Sequence, residues 1–272
     1  MKQTSQGWLQ AGLFYRVWRP EKARASCVIC HGYAEHSGRY QAVAKRLVSE
    51  NLAVYALDLP GHGHSEGKRA SAPSVRALVP ALQATLEHAK GQHPEVPHVL
   101  FGHSMGGLLA LQLCLTGYPL DLLCVSGAIL QNAVSVSAPL KAAAHLLARV
   151  APELPVQKLE ANDLAFDARV IARYQNDPWV YQGKVRAGLG YGLISEGAEV
   201  LAQAHQITLP TLIMHGEYDS TADPAGSHQL YAQLGSSDKM LELFDGKHEI
   251  LNDWCGDHVL DVLMQWLNQR LN

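Results

Sequence analysis

What most constrains this chain is a rhythm. Short β-rich apolar runs alternate with longer stretches whose apolar residues recur at helical spacing. Ala25–Cys30, Leu52–Leu57, Val99–Phe101 and Leu122–Leu130 read as strands. Gly38–Glu50, Pro73–Gly91 and Ser104–Gly117 lie between them as helices, the second carrying Val75, Leu78, Val79, Leu82 and Leu86 on one side. An early hairpin pairs Gly7–Gln10 with a strand ending at Arg16–Trp18. Such alternation predicts an α/β domain with a mostly parallel central sheet flanked by helices. The rhythm stops near Asn132 and resumes with Leu209–Met214 (strand), Pro224–Leu234 (helix), Met240–Phe244 (strand) and His258–Leu271 (helix). The intervening text is helical, with no clear strand. The expected organisation is therefore a core of residues 1–131 and 205–272, with a helical insertion over 132–204. At roughly 100–200 residues per domain, that suits a chain of 272 residues.

Composition excludes several classes. With 47% apolar and 17% charged residues the chain is not disordered. Lys+Arg 22 against Asp+Glu 25 gives a net charge of -3, no footprint for nucleic acid. No stretch approaches the ~18 uninterrupted apolar residues of a membrane span. The opening MKQTSQGWLQ lacks the apolar core of a secretory signal, so a cytoplasmic location is expected. Five cysteines cannot pair completely. Cys27, Cys30, Cys114 and Cys124 sit in apolar runs and read as buried thiols of a reducing compartment. CVIC at 27–30 lies in a strand, where positions i and i+3 face opposite sides, which argues against a redox pair.

The chemistry centres on Phe101-Gly-His-Ser-Met-Gly-Gly107, which contains G-x-S-x-G between an apolar strand and an amphipathic helix. A serine hydroxyl is a weak nucleophile that needs exposure, a base and charge stabilisation. A tight strand-to-helix turn pushes Ser104 out over the sheet end, and Gly102 and Gly106 leave room for the backbone. Enzymes built this way place nucleophile, acid and histidine in that chain order. After Ser104 the acid falls in GEYDSTAD, as Asp219 or Asp223, and the histidine in DGKHEI, as His248. Both loops follow strands, where the sites of open α/β sheets lie. Asp219 is the preferred acid, because Asp223 precedes Pro224 and can cap a helix. His258 falls inside the last helix. The oxyanion donors are expected to be the backbone N–H of Met105 and one N–H of the loop His31–His36, from Tyr33 or else Ala34. Asp58, His62 and His64 could suggest a metal, but no further ligands stand at a recognisable spacing, so the glycine-rich loop is read as self-satisfied.

HGYAEHSGRY, DLPGHGHSEG, GHSMGG, HGEYD and KHEI, in this order, resemble the monoacylglycerol lipase/lysophospholipase family of α/β-hydrolases, the serine aminopeptidase S33-like group. The resemblance spans about residues 25–255, and YQNDPWVYQGKVRAGLGYGL resembles that family's cap text. It implies an α/β-hydrolase fold with a helical cap. It implies Ser104 as nucleophile, Asp219 as acid, His248 as base, and Tyr33 and Met105 as oxyanion donors. It implies cleavage of carboxylic esters, often monoacylglycerols, through an acyl-enzyme, with neither metal nor organic cofactor. Tyr33 departs from the smaller residue usual at its place and is expected to narrow the acyl entrance. The expected partner is a small lipid ester.

Val134, Val136, Leu140, Ala143, Leu146, Leu147 and Val150 have helical apolar spacing, with only Lys141 and Arg149 basic. That face would either pack on the core or line an acyl tunnel and touch a lipid surface transiently. A short-chain carboxylesterase or a lysophospholipase would use the same residues. A catalytically silent ligand-binding hydrolase fold is the rival from another class, against which the intact Ser104, Asp219 and His248 argue.

Overall fold

A computed structural model describes residues 3–131 and 137–271. β1 (Gln3–Leu9) and β2 (Leu13–Arg19) form the expected hairpin, with Gly7 opposite Tyr15. Then follow β3 (Ala25–Cys30), α1 (Gln41–Ser49), β4 (Leu52–Leu57), α2 (Val79–Gln92), β5 (His98–His103), α3 (Met105–Cys114) and β6 (Leu122–Ser126). Next come α4 (Ala138–Val150), β7 (Pro155–Gln157), α5 (Ala168–Asn176), β8 (Val185–Arg186) and α6 (Ala187–Gln203). β9 (Thr211–Gly216), α7 (Pro224–Gln233), β10 (Lys239–Phe244) and α8 (Gly256–Asn268) close the chain.

The main sheet has eight strands in the order β1-β2-β4-β3-β5-β6-β9-β10. β1, β2 and β4 pair antiparallel in succession, and the other pairings are parallel. Strands buried on both faces need no polar alternation, which is why β3, β4 and β5 read as continuous runs. One face packs on α1 and α8 through Val43, Leu47, Val259, Leu263 and Trp266. The other packs on α2, α3, α6 and α7 through Leu82, Leu109, Val200 and Leu230. Cys27 joins the first core and Cys30 the second, as strand geometry requires, and all five cysteines are free thiols. Burial pushes the Cys114 thiol up to about 12 and that of Cys255 to about 11.

Several boundaries differ from expectation by a few residues, and four departures have a clear physical reason. β6 ends at Ser126 because Gly127 takes φ +52 and turns the chain; Ala128–Leu130 are buried as loop, where α6 approaches so closely that a Cβ on Gly197 would meet the Leu130 carbonyl at 2.4 Å. β9 begins at Thr211, after Pro210, which has no N–H to donate. α2 begins only at Val79, after a 3-10 turn over Arg76–Leu78. The segment read as strand-free holds a small antiparallel ribbon, β7 with β8. Three and two residues, with β7 wholly exposed, are too short to show a period.

Register explains where a site must form. His103 pairs with Ser126, Cys30 with Gly102, and Phe244 with Gly216. Ser126 in turn pairs with Met214, so β3, β5, β6, β9 and β10 all end at the same edge of the sheet within a few residues of register, and the loops that follow them meet.

Candidate active site

Ser104 follows β5 directly and has φ +56 and ψ -121, an uncommon conformation for a residue with a side chain. Glycines make the turn possible. A Cβ on Gly106 would lie 2.2 Å from the Cys30 carbonyl oxygen, and one on Gly102 would lie 2.4 Å from that of Gly106. The start of α3 is therefore pressed against the end of β3. A Cβ on Gly32 would sit 2.9 Å from that of Ser104, so the loop after β3 lies beside the hydroxyl.

His248, four residues past β10, places Nε2 2.8 Å from Ser104 Oγ. Its Nδ1 lies 2.6 Å from Oδ2 of Asp219, three residues past β9. The structure therefore brings together Ser104, His248 and Asp219 from three loops, all buried. Asp223 instead turns its carboxylate to the Ala225 N–H and caps α7, and His258 lies in α8 against Phe244. Asp219 Oδ1 accepts the N–H groups of Thr221 and Ala222 at 2.8 and 2.9 Å. Burial would raise the Asp219 pKa, but the charge and hydrogen bonds of His248 and His215 hold it below the usual carboxylate range. Burial likewise disfavours charge on His248, yet the Asp219 carboxylate outweighs that and lifts its pKa above the ordinary histidine value, with Glu249 and Glu35 adding to the effect.

The backbone N–H groups of Tyr33 and Met105 have no hydrogen-bond partner among the described residues. That leaves two donors beside Ser104. The Tyr33 ring is buried edge-on to His62, and its hydroxyl also lacks a partner among the described residues. A cavity of about 80 Å³ opens beside this loop, walled by Tyr33, Ala34, Asn162, Tyr174, Tyr181 and Gln182.

The glycine-rich loop does satisfy most of its own polar groups. Asp58 accepts the N–H of Ser37 at 2.7 Å and of His64 at 2.8 Å, joining it to the loop after β3. His64 stacks on Trp179, and His62 faces the Pro60 carbonyl through Nδ1. Burial, then the nearby His31, pushes the His62 pKa down to about 3.

Other participants escaped the sequence reading. Glu35 accepts hydrogen bonds from the Gly32 N–H (2.6 Å), the Tyr40 hydroxyl (2.7 Å) and Arg39 Nε (3.0 Å). Arg39 also donates to both oxygens of Glu249, the neighbour of His248. One guanidinium thus clasps the loop after β3 to the loop after β10. Burial disfavours charge on Glu35, but Arg39, then His103 and His31, hold its pKa down to about 2. Burial raises that of Glu249; Arg39 opposes this, and Glu35 adds to the rise. The signal was available: Glu35 and Arg39 are four apart in a quoted motif. His103, beside Ser104, lies 5.1 Å ring to ring from His248; burial, then the neighbouring His248, depresses its pKa to about 4, so it stays neutral there.

A mostly parallel sheet with a serine on a strained strand-to-helix turn, hydrogen-bonded to a histidine and through it to a carboxylate, defines an α/β-hydrolase. A family model described as serine aminopeptidase, S33, matches residues 21–254. The chain is 36% identical over 263 residues to a monoacylglycerol lipase of Mycolicibacterium smegmatis, covering 95% of this chain and 94% of that one. It is 30% identical over 266 residues to the monoglyceride lipase of Rattus norvegicus, covering 95% and 88%. The crystal structure of the Paleococcus ferrophilus monoacylglycerol lipase superposes with a TM-score of 0.84 at 27% identity, covering 99% of both chains. The chain belongs to the S33 serine hydrolase family and is a carboxylic ester hydrolase.

Proposed function

We propose that this protein hydrolyses monoacylglycerols to fatty acid and glycerol through an acyl-enzyme on Ser104. The observation that carries the proposal is the unbroken chain from Ser104 Oγ to His248 Nε2 (2.8 Å) and from His248 Nδ1 to Asp219 (2.6 Å). His248 Nδ1–H donates to Asp219, which leaves Nε2 as the base for the Ser104 proton. Ser104 Oγ attacks the ester carbonyl. The resulting oxyanion accepts hydrogen bonds from the Tyr33 and Met105 N–H groups, stronger there than in water because the site is buried. Imidazolium His248 then gives its proton to the departing glycerol oxygen. Water, activated by His248, attacks the acyl-enzyme, and Ser104 regains its proton as the fatty acid leaves. The monoacylglycerol substrate is supported by the names of the relatives above, not by the triad, which would serve any accessible ester.

In this reading residues 132–204 are a cap, and the Tyr33 ring narrows the acyl entrance. α4 supports contact with a lipid surface: Leu140, Leu146 and Val150 are 59%, 62% and 70% exposed on it, and Leu154, Val156 and Leu159 continue the apolar surface. Val134 and Val136, expected on the same stripe, lie outside the described residues. Among the described residues no helix is long and apolar enough to cross a membrane; the contact proposed is peripheral and the location proposed is cytoplasmic.

The test is hydrolysis of 1-monoacylglycerols of graded chain length by wild type and Ser104→Ala, with lysophosphatidylcholine and p-nitrophenyl butyrate alongside. The expected result is a preference for a medium- or long-chain monoacylglycerol and a dead variant. Turnover of the butyrate ester alone would make this a small-ester hydrolase.

A further inference from the structure

His215, the last residue but one of β9, is fully buried and has no part in the mechanism above. Its Nε2 lies 3.1 Å from Asp219 Oδ2, the same oxygen that receives His248 Nδ1, and 3.1 Å from the Ala222 carbonyl oxygen. A carbonyl cannot donate, and Asp219 is held in its ionised form. Nε2 therefore carries a proton, whatever the charge of the ring. At the other side, Nδ1 lies 2.7 Å from Oγ of Ser227, fully buried on α7. That hydroxyl has no other partner among the described residues, so its proton is available to Nδ1. Ser227 can thus hold Nδ1 as the acceptor and Nε2 as the N–H donor.

We propose that His215 is a positioning residue for the reaction, its Nε2–H, set by Ser227, fixing Asp219 so that the carboxylate holds His248 in place. The proposal rests on the Ser104–His248–Asp219 reading. With His215 in place each carboxylate oxygen accepts two N–H groups: Thr221 and Ala222 on Oδ1, His248 and His215 on Oδ2. Four donors leave the carboxylate one orientation. They also spread its negative charge, so that Asp219 does not hold the His248 proton too tightly when that proton must pass to the leaving group. A histidine that merely filled the core would require neither tautomer control nor a share of the same oxygen.

The experiment compares wild type with His215→Leu, His215→Gln, Ser227→Ala and Ser104→Ala, reading kcat, KM, the pH profile on p-nitrophenyl butyrate, and the melting temperature. His215→Leu should lower kcat about tenfold or more, the usual scale for partners that orient a reacting group, with KM nearly unchanged. The acid limb of its profile should move to higher pH, because Asp219 with one donor fewer is more basic and stabilises the charged form of His248. His215→Gln, whose amide N–H can occupy the place of Nε2–H, should recover most of kcat and return the limb. Ser227→Ala, which releases the tautomer, should fall between. A folded His215→Leu with wild-type kcat and limb overturns the proposal, as does a Gln variant no better than Leu at equal melting temperature. Should His215→Leu not fold, a wild-type profile for Ser227→Ala overturns it instead. Ser104→Ala separates the two readings: if it stays active, the triad assignment has failed, and if it is dead while the His215 variants are normal, only the role of His215 has failed.

Discussion

α3 and α4 are both apolar helices of similar length, and they meet opposite surroundings. Every residue of α3 from Met105 to Leu113 is buried, between β5, β6 and the helices beside it. In α4 only Ala148 is buried; Leu140, Leu146 and Val150 face outward, while the other side of the helix packs on α6. Their sequences already differ: α3 is apolar but for Gln112, whereas α4 carries Lys141, His145 and Arg149. Text that is apolar all round belongs inside, and an apolar stripe on an otherwise polar helix marks a surface that seeks a second partner. Here the inner helix carries the serine at its first turn, and the outer one lies in the segment we propose as a cap. In the proposed function, chemistry stands on the rigid element and contact with substrate on the exposed one.

Five measurements sharpen or break that contrast. The largest effect is expected at the inner helix: Ser104→Ala should lower kcat on any ester by about 10⁶-fold, a loss typical of triad nucleophiles. Residual turnover within a hundredfold of wild type would detach the chemistry from α3. Next, Asp219→Asn should cost about 10⁴-fold by upsetting the His248 tautomer. In the wild type His248 must be neutral to act, and its pKa is raised by Asp219. The acid limb of kcat/KM should therefore lie above the ordinary histidine value and fall towards lower pH in this variant. A limb that stays in place would deny the coupling.

Third, Leu109→Ala in α3 should destabilise the fold by about 2–5 kcal/mol, the cost of a cavity in a packed core. Chemical denaturation reads this directly. Fourth, stability should decline on acidification. His103 and His62 are buried neutral, with pKa values of about 4 and about 3. Between the unfolded histidine value and those figures the unfolded chain binds more protons, so unfolding gains as pH falls through that window. His248 works the other way: its raised pKa favours folding below the unfolded value, an advantage lost as pH rises through the folded one. Asp219 and Glu35 add further loss in the acid range. A melting temperature that is flat from neutral pH to pH 4 would contradict the balance. Last, Leu146→Ser in α4 should change stability by less than about 0.5 kcal/mol, as for an ordinary surface substitution. It should nevertheless reduce turnover of micellar monoacylglycerol while leaving p-nitrophenyl butyrate unaffected. Equal effects on both esters would remove the lipid-surface role.

The fold was legible where a period was long enough to count. β3, β4 and β5 announced themselves as apolar runs between turn residues, and α8 as a stripe from Val259 to Leu267. The ribbon of β7 and β8 was hidden because its residues form no pattern shorter than the ribbon itself. Leu122–Leu130 was overextended because Ala128–Leu130 are as buried and apolar as a strand while lying in a loop. At the site, Ser104, Asp219 and His248 could be named because each sits at a strand end in a fixed chain order. Arg39 could have been paired with Glu35 by its four-residue spacing, but its bridge to Glu249, 210 residues away, and the contact of His215 with Ser227, 12 residues away, form only once the sheet has folded.

The backbone of Ser104 has one more consequence. Conformations of this kind cost a non-glycine residue on the order of 1–3 kcal/mol, and glycine escapes most of that cost. A laboratory selection for heat resistance alone would accordingly reward Ser104→Gly, which relaxes the turn and discards the hydroxyl. If Ser104 is the nucleophile proposed above, the strain is what it costs to present its hydroxyl: a relative that has lost its chemistry should be free to carry glycine here, and to gain thermal tolerance as it does.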